Sequence, residues 1–281
     1  MSLVLATGHI AVAQGPIITI TPTGATNTWA AGISGSQIVG YYSDSSVPVA
    51  KFHGFLTSAG GGSITTIDVF GAMDTWATGI NASGVIVGHY IDGTGVHGFS
   101  LAGGVATPIN VSGARSTVVT GVNDSGEVVG TYVDMAGLTH GFSLTSGDTP
   151  IQIDVPGARL TEATGVNNSG VVVGDYFDGL AFHGFSLASG ATPTKIDVTG
   201  AGAVHTFAVG INTNGLIAGY YIDSASKFHG FVLNNGIFTT EDVSGAADTA
   251  VNGINNRDQT VGFYENAAMT VFGFFNKRHT R

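Results

Sequence analysis

The sequence predicts an all-β fold, a six-bladed β-propeller of four-stranded blades whose N-terminal strand completes the last blade. Three observations predict it. One unit recurs six times, each unit holds four short strand-like runs, and a spare strand at the start matches a deficit at the end.

The repeat is read from its fixed points. A Gly-Ile/Val-Asn element falls at Gly32 (with Ser34 in place of Asn), Gly79, Gly121, Gly165, Gly210 and Gly253, at spacings of 47, 42, 44, 45 and 43 residues. A threonine stands four residues before each glycine: Thr28, Thr75, Thr117, Thr161, Thr206 and Thr249. A tyrosine follows at Tyr42, Tyr90, Tyr132, Tyr176, Tyr221 and Tyr264. His-Gly-Phe comes next at His53, His97, His140, His183 and His229, with Phe272 replacing histidine in the last copy.

Within the second unit the runs are expected at about 77–81, 85–91, 97–101 and 107–111. Between the first two stands Asn-Ala-Ser-Gly, and its counterparts are Asn-Asp-Ser-Gly, Asn-Asn-Ser-Gly and Asn-Thr-Asn-Gly. Asn and Gly accept the left-handed backbone that tight hairpins need. The second run (Val-Ile-Val-Gly, Val-Val-Val-Gly) is β-branched and apolar on both faces, as in a stacked blade rather than a two-layer sandwich. Residues 18–25 (ITITPTGA) align with 65–72 (TTIDVFGA), the fourth strand of the first unit, while the sixth unit ends after its third strand at Phe274-Phe275. Pairing the two removes two exposed sheet edges, which favours a closed ring over an open β-solenoid.

Composition fits and narrows the partners. The 281 residues include 44 glycines and 7 prolines, are 43% hydrophobic and only 10% charged, and carry a formal charge of −10. Such a field repels nucleic acid and anionic membranes. The absence of cysteine excludes disulfides, thiol catalysis and thiolate-bound metals. Residues 3–13 are small and apolar, and Ala11-Val12-Ala13 before Gln14 resembles a signal-peptidase site without a basic n-region. Residues 1–16 therefore read as a signal-peptide remnant or a loose leader, 17–276 as the propeller and 277–281 as a basic tail. There is no uninterrupted run of 18 apolar residues, so no transmembrane helix is expected.

The pattern Gly-Ile-Asn-x-x-Gly-x-Ile-Val-Gly-x-Tyr followed by His-Gly-Phe, repeated from Ile18 to Phe275, resembles the bacterial extracellular HAF-repeat family, named for a His-Ala-Phe signature. Here the middle residue is glycine, so the match is to the pattern and not to the name. The resemblance implies an exported, secreted or periplasmic repeat protein of a bacterium, and it carries over no catalytic or binding residue.

The regular motifs read as scaffold. Five histidines on the third strands stand well over ~10 Å apart around a ring, too far to share one ion. Each faces a Tyr-x-Asp at the end of the second strand (Asp44, Asp92, Asp134, Asp178, Asp223), so a His–Asp bond across that hairpin is expected. Asp68, Asp154, Asp197 and Asp242 recur on the outermost strand and also read as structural. Gly93–Gly98 matches the dinucleotide fingerprint by spelling alone, since it spans a hairpin rather than a strand–helix junction. Asn81, Asn110, Asn123 and Asn167 head Asn-x-Ser triplets, three of them in the first turn, where Asn and Ser serve the backbone.

Function is sought where the copies differ. The turn into each first strand, near the axis, offers Asn27, Trp29, Met73, Asp74, Trp76, Arg115, Arg159, Glu162, His205, Phe207 and Asp248, and the second strand adds Tyr41, His89, Asp175 and Tyr220. Trp29, Trp76, Arg115, Arg159, Glu162, His205 and Phe207 form the candidate ligand site. Indole faces, arginines and carboxylates suit a carbohydrate, although the rings would equally plug the channel. The leading expectation is a non-catalytic exported binding or interaction module, directed to a glycan or another protein. One alternative is a polysaccharide lyase or hydrolase using His89 or His205 as base, Arg115 or Arg159 against a substrate carboxylate, and Glu162 or Asp175 as acid. The other is a structural surface protein without a small ligand. No cofactor is expected, beyond a cation that axial backbone carbonyls could hold without any sequence signature.

Overall fold

A computed structural model describes residues 15–46 and 49–277. The leader expected over residues 1–16 lies mostly outside the described residues, as do residues 278–281 of the basic tail. Six four-stranded antiparallel sheets form the molecule. Their first, innermost strands are Asn27–Ser34, Asp74–Ile80, Ser116–Val122, Leu160–Val166, Ala203–Ile211 and Asp248–Ile254. The second strands are Gln37–Ser43, Ile86–Asp92, Val128–Val133, Val172–Phe177, Ile217–Asp223 and Thr260–Glu265. Third strands carry His-Gly-Phe, for example Phe52–Ser58, Gly95–Ala102 and, in blade 6, Val271–Asn276. Fourth strands are short, for example Thr65–Ile67 and Val105–Ile109.

Closure follows the expected route. The strand Ile17–Ile20 pairs antiparallel with Val271–Asn276, with Ile18 opposite Phe275 and Ile20 opposite Gly273. The first strand of blade 6 packs on that of blade 1, so the ring is closed. Among the described residues no helix is long and apolar enough to cross a membrane.

Each repeated residue has a task in this ring. The phenylalanines of His-Gly-Phe (Phe55, Phe99, Phe142, Phe185, Phe231, Phe274) are almost fully buried and centre the blades. Each lies against the glycine of Val-Gly in the second strand, where a Cβ would collide with both the ring and a first-strand carbonyl. The glycine of Gly-Ile-Asn is needed because neighbouring first strands nearly touch at the axis. A Cβ on Gly32 would lie 2.9 Å from the Thr78 carbonyl oxygen, and one on Gly121 would lie 3.0 Å from that of Thr164.

Polar side chains then tie blade to blade. Asn81 Nδ2 donates to the Asn123 carbonyl (3.1 Å), Asn123 to Asn167 (3.1 Å), Asn167 to Asn212 (3.2 Å), Asn212 to Asn255 (3.1 Å) and Asn255 to Gly35 (2.8 Å). Blade 1 turns through only Gly35 and Ser36, with Ser34 paired to Gln37, and has no asparagine for this relay. The repeated threonines accept the N–H of a valine in the turn before their own strand: Thr75 from Val69, Thr117 from Val111, Thr161 from Val155, Thr206 from Val198 and Thr249 from Val243. In blade 1 the corresponding residue is Pro22, which has no N–H.

Two sequence expectations need adjustment. First strands begin earlier than expected, at Asp74 rather than about residue 77 in blade 2, because Asp74 and Thr75 pair with Ile91 and Tyr90. The outer strand of that blade ends at Ile109, since Val111 N–H is drawn into the turn by Thr117.

Candidate functional site

The site is built by one irregularity repeated in every blade. Between Ala30 and Gly32, and at each equivalent place, the first strand bulges by one residue against the second. A bulge shifts which residues face each other beyond it. The residue after the repeated threonine therefore lies opposite the residue after Val-Gly: Trp29 opposite Tyr41, Trp76 opposite His89, Val118 opposite Thr131, Glu162 opposite Asp175, Phe207 opposite Tyr220 and Ala250 opposite Phe263.

Side chains opposite one another in an antiparallel pair share a face. Two residues further along the first strands, Thr78, Thr120, Thr164, Val209 and Asn252 line the waist of the axial channel with the glycine ring. Beyond the waist, the Asn-bearing turns surround the opposite mouth. The six pairs thus form a two-tier chamber at the end where first strands begin.

Rings occupy these positions in blades 1, 2 and 5. Trp29 stacks on Tyr41 with ring centroids 5.2 Å apart, and Phe52 from the third strand lies 5.1 Å from Trp76. Trp76 in turn stacks on His89 at 4.8 Å. In blade 5, Phe207 and Tyr220 stack at 4.7 Å, flanked by Phe182 and Phe228 at 5.2 and 5.5 Å.

Blade 4 is acidic, with Glu162 facing Asp175. Asp175 is only 3% exposed and its Oδ2 has no hydrogen-bond partner. Burial first, and the facing Glu162 second, hold its carboxyl well above the usual carboxylate range. Burial also raises Glu162. Tyr220 is raised by burial and then by the charges of Asp175, Glu162 and, from across the ring, Tyr41. Burial pushes Tyr41 up to about 12 and pushes His89 down to about 4, so His89 is a neutral ring, and its Nδ1 has no partner. Asp175 and Tyr220 thus sense their charged neighbours in a desolvated setting, as groups in sites that hold ligands or reacting groups do.

Of the seven candidate residues, the structure brings four into the chamber: Trp29, Trp76, Glu162 and Phe207. His205 has another task. Its Nδ1 accepts the Phe182 N–H (3.1 Å), tying blade 5 to blade 4. Asp74, Asp248 and Asn27 make the same latch to Phe52, Phe228 and Val271. Arg115 and Arg159 are exposed, two residues ahead of the repeated threonine, and stay outside the chamber. Arg159 edges a cleft of about 520 Å³ between blades 3 and 4, beside Leu138, His140 and Leu160. The second-strand residues Tyr41, His89, Asp175 and Tyr220 do join the first-strand group, whereas Phe52, on the third strand, had no signal that pointed to the axis.

The repeated histidines are clasps within blades. His53 Nδ1 meets Asp68 at 2.9 Å and its Nε2 faces Asp44 at 3.5 Å. His140, His183 and His229 bridge their two aspartates in the same way. In blade 2, His97 Nε2 faces Asp92 at 3.4 Å and meets Thr94 at 2.8 Å, while Asn110 replaces the outer aspartate at 3.0 Å. The bond to the hairpin aspartate was expected, and the outer-strand aspartate, read as structural, is the second half of the clasp in blades 1, 3, 4 and 5. Backbone N–H donors hold Asp134 and Asp223 below the usual range, and Asp178 is lowered to about 2 by the Ala181 and Leu180 amides.

No family model matches the chain, and no curated protein matches it. Among solved structures it is similar to TolB from Acinetobacter baumannii, with a TM-score of 0.59 at 11% identity, covering 88% of this chain and 65% of that one. The chain thus spans about two thirds of TolB. A fungal lectin, the six-bladed Aleuria aurantia lectin described by its fucose recognition, gives 0.52 at 12% identity, covering 90% and 93%. A gluconolactonase from Xanthomonas campestris gives 0.52 at 11%, covering 97% and 99%. At these identities the likeness is one of fold, which hosts binding modules and enzymes alike.

Proposed function

We propose that this chain is an exported, non-catalytic binding module that takes a saccharide unit in the chamber. The carrying observation is that both tryptophans, Trp29 and Trp76, stand at the same place in adjacent blades and wall a space that also holds Glu162, Asp175, Tyr41 and Tyr220. Apolar sugar faces pack on indole and phenol rings, while hydroxyls need buried donors and acceptors such as these. Lectins share this architecture, which is compatible with the reading. The apolar stretch with its Ala-Val-Ala and the resemblance to HAF-repeat proteins support the exported part of this reading.

A thermal-shift screen against neutral and charged mono- and oligosaccharides tests it. A binding sugar raises Tm by mass action, and Trp29→Ala or Trp76→Ala reduces that shift by the equivalent of about tenfold or more in affinity, on the scale of a lost aromatic anchor. No shift with any saccharide, or shifts indifferent to both tryptophans, removes the proposal. The enzyme reading is favoured by one feature, the raised carboxyl pair, which is suited to general acid work. Turnover of a bound sugar that is lost in Glu162→Gln would establish it.

A further inference from the structure

We propose that the chamber's ligand carries a protonated amine, seated against the Glu162–Asp175 pair with the rings of Phe207 and Tyr220 beside it. Under the saccharide reading above this makes the ligand an amino sugar; the ammonium seat itself does not depend on that reading.

The pair is the reason. Glu162 and Asp175 face each other across two hydrogen-bonded strands, on one side of the sheet. Such opposed side chains have Cβ atoms only about 5 Å apart, and like charges there repel. Asp175 Oδ2 is buried and unpartnered. Among the described residues the ion pairs are the histidine clasps and Lys195–Asp197, all away from the chamber, so none of the described residues brings a cation to this pair. Buried carboxyl pairs are stabilised by a counter-charge or by retaining protons.

The walls select the kind of cation. Phe207 and Tyr220 are stacked on each other and flanked by Phe182 and Phe228, so they bound the pair with an apolar wall that keeps water from it. A divalent metal is poorly served, since it needs six or more oxygen ligands and the rings give none. A hydroxyl would satisfy Asp175 Oδ2 but would supply no counter-charge to the pair. The formal charge of −10 draws cations towards the molecule from a distance.

Isothermal titration at pH 7 tests this with four probes: β-1,4-linked glucosamine oligomers, their N-acetylated counterparts, propylammonium and calcium. The aminated oligomer is expected to bind at least tenfold tighter than the acetylated one. Glu162→Gln and Asp175→Asn, near-isosteric and checked for folding by circular dichroism, each lose at least that factor. Equal or tighter binding of the acetylated oligomer overturns the ammonium seat and leaves the saccharide reading standing. Binding of propylammonium alone, lost in both variants, keeps the seat and ends the saccharide reading. Binding of calcium alone, of none of the probes, or of the amine unchanged in both variants overturns the seat.

Discussion

Asp175 and His89 occupy matching places in blades 4 and 2, and burial disfavours the charged form of both. Their contributions to stability run in opposite directions with pH. Unfolded, Asp175 would ionise near pH 4, whereas folded it keeps its proton to higher pH. The unfolded state therefore binds fewer protons as pH rises above about 4, and stability falls in that window. His89 is protonated near 6.5 when unfolded but only at about 4 when folded, so its contribution is lost as pH falls from 6.5 towards 4. Replacing Asp175 by Asn removes the first slope. The variant is expected to melt several degrees above the wild type at pH 7, on the order of 1–2 kcal/mol, with the gap closing towards pH 4. Calorimetric Tm values across that range check it, and a variant less stable than wild type at pH 7 would contradict the account. The second-strand variable position was legible in the sequence as the residue after Val-Gly. The arginines were misplaced because they precede the first strands and lie on the rim. His205 reads as a free functional group until its latch to Phe182 is seen, although Asn27, Asp74 and Asp248 at the same place carried the clue.

At the scale of the element, the same turn serves its own hairpin and the next blade. Asn167 is 5% exposed. Its Oδ1 accepts from Ser169 N–H and Val171 N–H at 3.0 Å, and its Nδ2 donates to the Asn212 carbonyl. Asn167→Ala is expected to cost about 2–4 kcal/mol, since three hydrogen bonds go and the Asn212 carbonyl stays buried. Urea unfolding measures this, and a loss under about 0.5 kcal/mol would mean that the relay does not bind the ring together. This also explains the Asn-x-Ser triplets of these turns, whose asparagines are buried. The sequence signalled the turn through its Asn and Gly residues. It could not signal the relay, because the acceptor lies some 42 to 45 residues away in the chain. The bulge was equally hidden: simple counting from the turn puts Trp29 opposite Tyr42, and only the extra residue before Gly32 brings it opposite Tyr41.

For the whole molecule, the ring separates what repeats from what varies. Glycine, asparagine, threonine, histidine and phenylalanine recur because six blades must meet the same axis, the same neighbour and the same hairpin. Closure by Ile17–Ile20 was readable because the missing strand and the spare strand are copies of one motif. The chamber is what this symmetry leaves free, two positions in each blade, and those carry rings in blades 1, 2 and 5 and a carboxyl pair in blade 4. It contains both tryptophans of the chain, so their fluorescence reports on the chamber and nothing else. The decisive measurement is tryptophan emission with acrylamide quenching, recorded while titrating a saccharide that stabilises the protein. The account predicts a spectral change and protection from quenching that saturate at the same ligand concentration as the thermal shift. Stabilisation that saturates while emission and quenching stay constant would place the ligand elsewhere and contradict it.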